Sequence, residues 1–237
     1  MRDMTNQLQI FIDFDGTISL TDTTDLLLER FAASDWEAVE AEWLAGRIGS
    51  RECMARQIAL LRVSPAALND FIASIGIDQA FAPFVDLCQQ AGAEVAVLSD
   101  GLDHVVGEVL RGAGLSLPIF ANRLEFKGDD RWALSFPYSK AGCASGAGTC
   151  KCAMIDWRGI PPRAMETVLI GDGRSDFCGA GRADHVFAKA KLVQHCRETN
   201  IPHTAFSNFS DLIPVMADWL ERRRLDLPAA KADALHA

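Results

Sequence analysis

Two aspartates, Asp13 and Asp15, end the apolar run IFIDFDGT near the start of the chain. Carboxylates this close repel each other unless a cation lies between them. A carboxylate can attack an electrophile as a nucleophile, and a second carboxylate beside it can donate and accept the protons of the same reaction. The pair therefore indicates a site for a hard metal ion, for covalent and acid–base catalysis, or for both.

Two further apolar runs end in polar residues. AEVAVLSD ends at Ser99 and Asp100 and is followed by Gly101, whereas ETVLIGD ends at Asp172, shortly before Asp176. The carboxyl ends of parallel strands lie at the same edge of a sheet, where ligands bind, so we expect these side chains to meet those of the first run. A convergent acidic cluster requires a hard cation, and Mg²⁺ prefers carboxylate, carbonyl and water ligands.

The elements that must position these residues follow from the hydrophobic pattern. The three long runs are almost continuously apolar, which is typical of strands covered on both faces by helices. The shorter runs DHVFA and HTAF add two strands, and residues 124–139 predict a hairpin around Gly128 and Asp129. Because helical patterns lie between the strands, the sequence predicts an α/β fold with a doubly wound parallel sheet.

Residues 20–78 break this alternation, because they contain helical patterns and no strand. Ser34 with Glu37 predicts a capping box at the start of one of these helices. We therefore expect a catalytic core of residues 1–19 and 79–237, with residues 20–78 forming a small helical cap inserted after the first strand.

The composition limits the classes of function. The chain has 237 residues, 49% of them hydrophobic, and a formal net charge of −9. A sizeable core is available, and a sequence-independent nucleic-acid binder is not expected, since such proteins need clustered Lys and Arg. No apolar run approaches about 20 residues and the N-terminus lacks a signal-peptide layout, so no membrane span is expected. We predict a cytoplasmic monomer or homodimer with mostly free thiols.

The polar residues resemble the four motifs of the haloacid-dehalogenase superfamily. The matching residues follow in the right order and are Asp13-x-Asp15-Gly16-Thr17, Ser99, Lys151, and Asp172 with Asp176. The resemblance implies a Rossmann-like core with a cap over the sheet edge, and a Mg²⁺-dependent phosphomonoesterase that acts on a small phosphorylated metabolite. Asp15 favours phosphate chemistry over carbon–halogen cleavage, because the dehalogenases of this superfamily lack this second aspartate.

The resemblance also implies a role for each matching residue. Asp13 would be the nucleophile that takes up the phosphoryl group as an aspartyl phosphate, and Asp15 would protonate the leaving oxygen and later activate water. The residues implied to bind the phosphoryl group are Ser99, Asp100, Gly101 and Lys151. The residues implied to hold or support Mg²⁺ are Asp13, Asp15 through its backbone carbonyl, Asp172 and Asp176.

Two longer stretches, CKCAMI around Lys151 and IGDGRSDFCGAGRADHVFAKAKLVQHC, resemble the methionine-salvage phosphatase branch, which is related to the phosphoserine phosphatases. This likeness implies the methionine-salvage enol phosphate as substrate, with phosphoserine as the alternative. That branch carries Cys-Gly-x-Cys before the lysine, whereas this chain has CASGAGTCK, with Cys143 and Cys150 further apart. Together with Cys152, these thiols leave three possibilities open: a zinc site, a disulfide, or simple loop packing.

Four residues of the expected cap are candidates for reading the substrate: Asp22, Trp36, Trp43 and Arg47. Asp22 stands where phosphoserine phosphatases carry a substrate-reading Glu, and it is equally suited to cap the first cap helix. Trp36 and Trp43 fall on one helical face, where they form either the cap's own core or a lid over the substrate. Arg47 has the charge to meet a second anionic group.

Other classes of protein share parts of this pattern. A phosphoryl-accepting receiver also combines an acidic cluster with a lysine on a parallel sheet, but it has no cap and a much shorter chain. A non-catalytic phospholigand-binding module would tolerate the loss of Asp13 or Asp15, and both are present. A nicotinamide cofactor is not expected, because Asp176 replaces the third glycine of the dinucleotide fingerprint and would repel a pyrophosphate.

Overall fold

In the computed structural model of the protein, the described residues are 7–157 and 165–226. The ends of the predicted core, 1–6 and 227–237, lie outside them. The strands within the described ranges form one seven-stranded sheet. They are Gln7–Ile12 (β1), Glu94–Leu102 (β2), Ile119–Gly128 (β3), Arg131–Ser135 (β4), Met165–Gly171 (β5), His185–Ala188 (β6) and Thr204–Ala205 (β7).

The sheet places β1 at its centre, in the spatial order β4-β3-β2-β1-β5-β6-β7. Every pairing is parallel except that of β3 with β4. The last residue of β1, Ile12, pairs with Val97 of β2 on one side and with Ile170 of β5 on the other. The prediction of a doubly wound, mostly parallel sheet is confirmed, and the carboxyl ends of the three motif-bearing strands are neighbours.

Helices lie in the chain between the strands. They are Thr23–Phe31 (α1), Glu37–Leu44 (α2), Ser50–Ile58 (α3), Pro65–Ile72 (α4), Phe81–Gln90 (α5), Asp103–Gly112 (α6), Lys151–Asp156 (α7), Phe177–Ala180 (α8), Ala190–Glu198 (α9) and Phe209–Asp226 (α10), with a 3₁₀ turn at Arg174–Asp176. The predicted cap region thus holds α1 to α4.

Both faces of the sheet are buried, which explains the continuous apolar runs. On β1, Leu8, Ile10 and Ile12 belong to one hydrophobic cluster. Phe11 points to the opposite face and belongs to a second cluster, together with Leu98 of β2. Apolar side chains on both faces fix the register of β1 and, with it, the position of the residues that follow Ile12.

One local expectation is wrong, and another is confirmed with a different boundary. The predicted capping box of Ser34 and Glu37 does not form: α2 begins at Glu37 without a side-chain cap at Trp36, and Asp35 Oδ1 accepts a hydrogen bond from the backbone N–H of Ala38 at 3.2 Å. The hairpin around Gly128 is confirmed, but its first strand starts earlier than expected. It begins at Ile119 and pairs in parallel with β2, so the hairpin extends the central sheet.

The α3 helix packs against the loop that precedes α7. The backbone N–H of Arg51 donates to the carbonyl of Gly146 at 2.8 Å, and that of Ser50 donates to the carbonyl of Ser145 at 3.4 Å. This contact joins the region of the expected cap to the loop that leads to Lys151. Among the described residues, no helix combines the length and the apolar character that a membrane span needs.

Candidate active site

Lys151 lies between two carboxylates at the carboxyl end of the sheet. Its Nζ is 2.6 Å from Asp13 Oδ1 and 2.7 Å from Asp176 Oδ1. The Lys151 side chain is fully buried, and Asp13 and Asp176 are buried as well. A buried lysine is stable only when opposite charges and hydrogen bonds replace its water, and the two aspartates do so here.

Asp13 is held by backbone geometry at the end of β1. Its N–H donates to the carbonyl of Ile170 on β5, at 2.9 Å. Its Oδ1 accepts a hydrogen bond from the N–H of Phe14, at 2.8 Å, in addition to the contact with Lys151. Contacts to Oδ1 therefore fix the orientation of the Asp13 carboxylate. This arrangement suits a nucleophile that reacts through Oδ2.

Asp172 faces the loop after β1. Thr17 Oγ1 donates to Asp172 Oδ1 at 3.1 Å. Gly16 allows this approach, because a Cβ there would lie 2.7 Å from Asp172 Oδ2, and its φ of +69° also disfavours other residues. The small residues of the sequence DGT therefore let the carboxylate that follows β5 reach the loop after β1.

The carboxylates of Asp13, Asp172 and Asp176 converge. One ligand oxygen from each lies within 4.8 Å of the others, and no further group of three or more such ligands occurs within 7–157 and 165–226. Both Asp176 oxygens have partners, since Oδ1 accepts from Lys151 and Oδ2 accepts from the N–H groups of Asp172 and Gly173 at 3.1 Å each. Asp176 is therefore better suited to support a metal site from nearby than to bind the metal ion directly.

The electrostatics of this cluster fit a divalent cation. Burial and then the charge of Asp176 raise the pKa of Asp13 well above its ordinary value, and Lys151 opposes this shift. Burial and the same Asp176 charge raise the pKa of Asp172. Burial lowers the pKa of Lys151, but Asp13 and Asp176 outweigh it and keep the lysine protonated. A bound divalent ion would relieve the repulsion that remains among these oxygen donors.

Asp15 points away from this cluster, towards the start of α1. Its Oδ1 accepts hydrogen bonds from the N–H of Thr23, at 2.8 Å, and from Thr23 Oγ1, at 2.6 Å. Burial, followed by the charge of Asp22, raises the pKa of Asp15 to about 7. Such a carboxyl group can hold and release a proton near neutral pH, as general acid–base catalysis requires. The orientation also removes the Asp15 side chain from the set of metal ligands, so only its backbone carbonyl stays a candidate.

Ser99 and Gly101 lie beside Asp15. Ser99 Oγ accepts a hydrogen bond from the N–H of Gly101, at 2.8 Å. A Cβ on Gly101 would lie 2.5 Å from Asp15 Oδ2 and 3.0 Å from Ser99 Oγ. The glycine therefore lets the end of β2 approach the two groups that the sequence assigns to proton transfer and phosphate binding.

The Asp100 carboxylate has a different surrounding from the one implied. Its Oδ1 accepts from the N–H of Thr149, at 2.8 Å, and from Asn122 Nδ2, at 3.2 Å. Its Oδ2 accepts from Ser50 Oγ of α3, at 2.7 Å. A carboxylate would repel a phosphoryl group, and this one is already hydrogen-bonded on both oxygens. We therefore do not retain the Asp100 side chain as a phosphate ligand; it connects β2 to the cap and to the loop before Lys151.

A cavity of about 810 Å³ opens between these residues and the cap helices. Asp13, Asp15 and Asp172 line its floor. Its cap side includes Asp22, Asp25, Glu40, Trp43, Arg47, Ile48 and Met54.

Three of the four predicted cap residues line this cavity. Trp43 and Arg47 are two of them, and the Arg174 guanidinium lies 5.1 Å from the centroid of the Trp43 ring. Asp22 lines it and also caps α1, since its side chain accepts from the N–H groups of Thr24 and Asp25. Trp36 instead packs against the hydrophobic core, which is the first of the two alternatives for this residue, and it is not among the residues that line the cavity.

Comparison with known proteins identifies the family. The haloacid dehalogenase-like hydrolase family matches residues 10–180, which include every motif residue of the cluster. The chain belongs to this family. The prediction made from the motifs is confirmed, and this haloacid dehalogenase-like hydrolase is a phosphoric monoester hydrolase, as its relatives are.

Two similar bacterial proteins bear the name 2-hydroxy-3-keto-5-methylthiopentenyl-1-phosphate phosphatase. The hydrolase is 31% identical to that of Brevibacillus brevis, over 90% of this chain and 96% of the relative. It is 32% identical to that of Geobacillus kaustophilus, over 90% of this chain and 97% of the relative.

Solved structures share the fold. A phosphoserine phosphatase with an analogue of the phospho-aspartyl intermediate has a TM-score of 0.66 at 20% identity, covering 90% of this chain and 98% of the other. A substrate-bound phosphoserine phosphatase has a TM-score of 0.67 at 20% identity, covering 90% and 99%.

Several functional residues were missed by sequence reasoning. Thr23 holds Asp15, and Asn122, Thr149 and Ser50 surround Asp100. No motif marks them, because their roles depend on which loops meet in space. Thr17 orients Asp172 and was part of the first motif, although no role was assigned to it.

Proposed function

We propose that this hydrolase is a Mg²⁺-dependent phosphomonoesterase that works through an aspartyl phosphate on Asp13. The observation that carries the proposal is the pair of contacts of Lys151 Nζ, 2.6 Å from Asp13 and 2.7 Å from Asp176. One buried cation held against an oriented carboxylate is what transfer of a highly charged phosphoryl group requires. The non-catalytic alternatives are set aside, because the family and its relatives are hydrolases.

In the first half-reaction, an oxygen of Asp13 attacks phosphorus and the bond from phosphorus to the leaving oxygen breaks. Asp15 donates a proton to that oxygen, so the product departs as an alcohol or enol. In the second half-reaction, Asp15 accepts a proton from water, and this water attacks the same phosphorus. Inorganic phosphate is released, and the carboxylate of Asp13 and the proton on Asp15 are both restored.

The phosphoryl oxygens are held by this chain's own groups. Lys151 offsets their charge, and the Ser99 hydroxyl, which is oriented by a hydrogen bond from the N–H of Gly101, lies beside Asp15 and is proposed to donate its proton to them. Phosphate-monoester hydrolysis is among the slowest uncatalysed reactions, so nucleophile, acid and cation all have to contribute.

Asp13, Asp172 and the backbone carbonyl of Asp15 would hold Mg²⁺, with Asp176 in support. When bound, the ion supplies positive charge that offsets the charge of the phosphoryl group. The three converging carboxylates within 4.8 Å of one another are the basis of this assignment.

The substrate is a small phosphorylated metabolite, and we propose the methionine-salvage enol phosphate as the first candidate. The names of the relatives support it. The apolar side chains of Trp43, Ile48 and Met54 in the cavity wall also support it, because they suit a methylthio group.

Phosphoserine is the second candidate. The carboxylates of Asp22, Asp25 and Glu40 line the same cavity. A group of negative charges suits the ammonium group that phosphoserine carries and the enol phosphate lacks.

Two further expectations stay predictions. Residues 20–78 are proposed to act as a cap that excludes water while the phosphoenzyme forms. The cytoplasmic location and the monomeric or homodimeric state are likewise predictions from the sequence.

The test is a comparison of kcat/KM for the two candidate substrates, with Mg²⁺ present and after removal of metal by EDTA. We expect phosphate release from the enol phosphate to exceed that from L-phosphoserine, to stop with EDTA, and to return with Mg²⁺. A higher kcat/KM for phosphoserine would contradict the enol phosphate as the substrate, but it would leave the proposed aspartyl-phosphate mechanism intact. Full activity in EDTA would overturn the metal assignment.

A further inference from the structure

One face of α3 lines the cavity above the aspartate cluster. Its residues, spaced as neighbours on a helix surface, are Ser50, Cys53, Met54 and Gln57. The first three have partners within the protein: the Ser50 hydroxyl donates to Asp100 at 2.7 Å, and the sulfur atoms of the next two have polar partners at 3.9 and 3.7 Å. Gln57 differs from them.

The Gln57 carboxamide has no hydrogen-bond partner within residues 7–157 and 165–226, although only 5% of the residue is exposed. In the same ranges, every side-chain nitrogen or oxygen that is completely inaccessible does have a partner. Nε2 and Oε1 of Gln57 therefore keep some accessible surface. Because the residue lines the cavity, that surface faces the cavity. A nearly buried amide of this kind gains free energy from a ligand that supplies its hydrogen bonds.

The position of Gln57 along α3 relates it to the proposed phosphoryl site. Ser50, at the start of the helix, is bonded to Asp100, the residue after Ser99. Gln57 follows on the same face, about 10 Å further along the helix axis. Helical side chains lean back towards the N-terminus of their helix. Gln57 is thus placed to contact the carbon skeleton of a substrate whose phosphoryl group lies at Ser99.

We propose that Gln57 determines specificity by binding a neighbouring hydroxyl and carbonyl group of the substrate, an inference that rests on the proposed phosphatase function. A carboxamide is uncharged and presents an N–H donor beside a carbonyl acceptor. A hydroxyl next to a carbonyl presents the complementary pair. The 2-hydroxy-3-keto part of the first candidate substrate is such a pair. The carboxylate and ammonium groups of phosphoserine would each be paired better by a charged side chain.

The test compares two small probes in the presence of Mg²⁺. Dihydroxyacetone phosphate carries a neighbouring carbonyl and hydroxyl, whereas n-propyl phosphate carries neither. We expect Gln57→Leu to lower kcat/KM about tenfold for dihydroxyacetone phosphate and to leave that for n-propyl phosphate within about twofold, because only the first probe loses hydrogen bonds. The comparison between variants cancels the different reactivities of the two leaving groups.

Matched variants separate a specific contact from a general effect on the fold. Gln57→Glu has the same size but offers only acceptors when ionised, so it should also lower the ratio of the two kcat/KM values. Gln89→Leu, at an exposed position of α5, is the control and should keep the wild-type ratio.

A second readout keeps this inference separate from the proposed mechanism. Calorimetry measures the dissociation constants of both probes for the Asp13→Asn protein, with and without Gln57→Leu. We expect Gln57→Leu to weaken binding of dihydroxyacetone phosphate about tenfold and that of n-propyl phosphate hardly at all. If the wild type released phosphate from neither probe, the proposed function would be contradicted, and the dissociation constants would still test Gln57.

Two results would overturn the role of Gln57. One is an equal loss for both probes in Gln57→Leu, which would show that the side chain only supports the fold. The other is an unchanged ratio for the two probes in both kcat/KM and dissociation constant.

Discussion

At the scale of single residues, the site depends on one buried cation among several carboxylates. Lys151 forms ion pairs with both Asp13 and Asp176. Removing it would leave two buried carboxylates without a cationic partner. We therefore expect the lysine to stabilise the folded state in addition to its proposed role in the reaction.

Replacing this lysine tests that double role. Lys151→Met should abolish phosphatase activity and lower the free energy of unfolding in metal-free buffer by about 3–5 kcal/mol, the usual cost of removing one partner of a buried ion pair. Urea titration measures the stability. Lys127→Met is the control, because Lys127 forms a surface pair with Glu125. A Lys151→Met protein as stable as the wild type would contradict the buried pairing.

A second residue-scale prediction concerns proton transfer by Asp15. Asp15→Asn should lower kcat/KM by about 10²–10⁴-fold for an alkyl phosphate, because the leaving oxygen then departs without a proton. The loss should be smaller for p-nitrophenyl phosphate, whose leaving group needs little protonation. Asp86→Asn, on the exposed side of α5, is the control. An equal loss for both substrates would argue against Asp15 as the general acid.

At this scale the sequence was a good guide for residues that carry charge at strand ends. Asp13 and Asp172 lie close together, as a parallel sheet that brings its carboxyl ends together requires, whereas Lys151 reaches them from the start of α7. Thr23 and Thr149 were not predictable, because a hydroxyl or backbone partner is chosen by which loop lies nearby.

At the scale of elements, Asp100 connects the proposed cap region to the sheet. Ser50, the first residue of α3, donates its hydroxyl to Asp100 Oδ2 at 2.7 Å. Asp100 in turn accepts from the N–H of Thr149, two residues before Lys151. One carboxylate therefore connects α3, the end of β2 and the loop that leads to Lys151.

Removing the Ser50 hydroxyl should loosen this attachment. Ser50→Ala is expected to lower kcat/KM about tenfold, since a hydrogen bond to a charged group contributes about 1.5–3 kcal/mol. Ser74→Ala is the control, because that hydroxyl bonds only within the cap, to the carbonyl of Phe71. A double-mutant cycle with Asp100→Asn should show coupling, and simple additivity would mean that the contact does not hold the cap.

The acidic wall of the cap gives a prediction for stability against pH. Burial and the charges of Asp22 and Glu40 raise the pKa of Asp25 to about 7. The folded protein thus binds the Asp25 proton more tightly than the unfolded chain does, so stability falls as the pH rises from about 4 to about 7, and the full loss persists above about pH 7.

Asp25→Asn should therefore raise the thermal midpoint near pH 8, and the gain should vanish as the pH falls towards about 4. Asp70→Asn, an exposed carboxylate on α4, is the control. A gain that is the same at both pH values would show that the Asp25 charge is not responsible.

The elements differ in how well the sequence predicts them. The runs that became β1, β2 and β5 are unambiguous because both of their faces are buried. The start of β3 was missed, since its apolar residues are interrupted by Asn122 and Arg123. The capping box does not form because the carboxylate of Asp35, one residue closer to the helix than Ser34, accepts the hydrogen bond from the N–H of Ala38 in the first turn.

At the scale of the whole molecule, the fold and the chemistry agree. A sheet with β1 at its centre brings residues from three strands and from α7 to one edge, and α1 to α4 lie in the chain between β1 and β2. Fold class and reaction class were predictable because they follow from strand periodicity and from charged residues at strand ends. The substrate was less predictable, because the cavity wall combines apolar and acidic groups that the sequence does not show as neighbours.

The most direct measurement is chemical trapping of the phosphoenzyme. The full-length protein is mixed rapidly with Mg²⁺ and a phosphorylated substrate, quenched in acid, and reduced with borohydride, which converts an aspartyl phosphate to homoserine. We predict a mass loss of about 14 Da at Asp13 and at no other aspartate, absent when substrate is omitted. Reduction at a different aspartate, or none during steady turnover, would contradict covalent catalysis by Asp13.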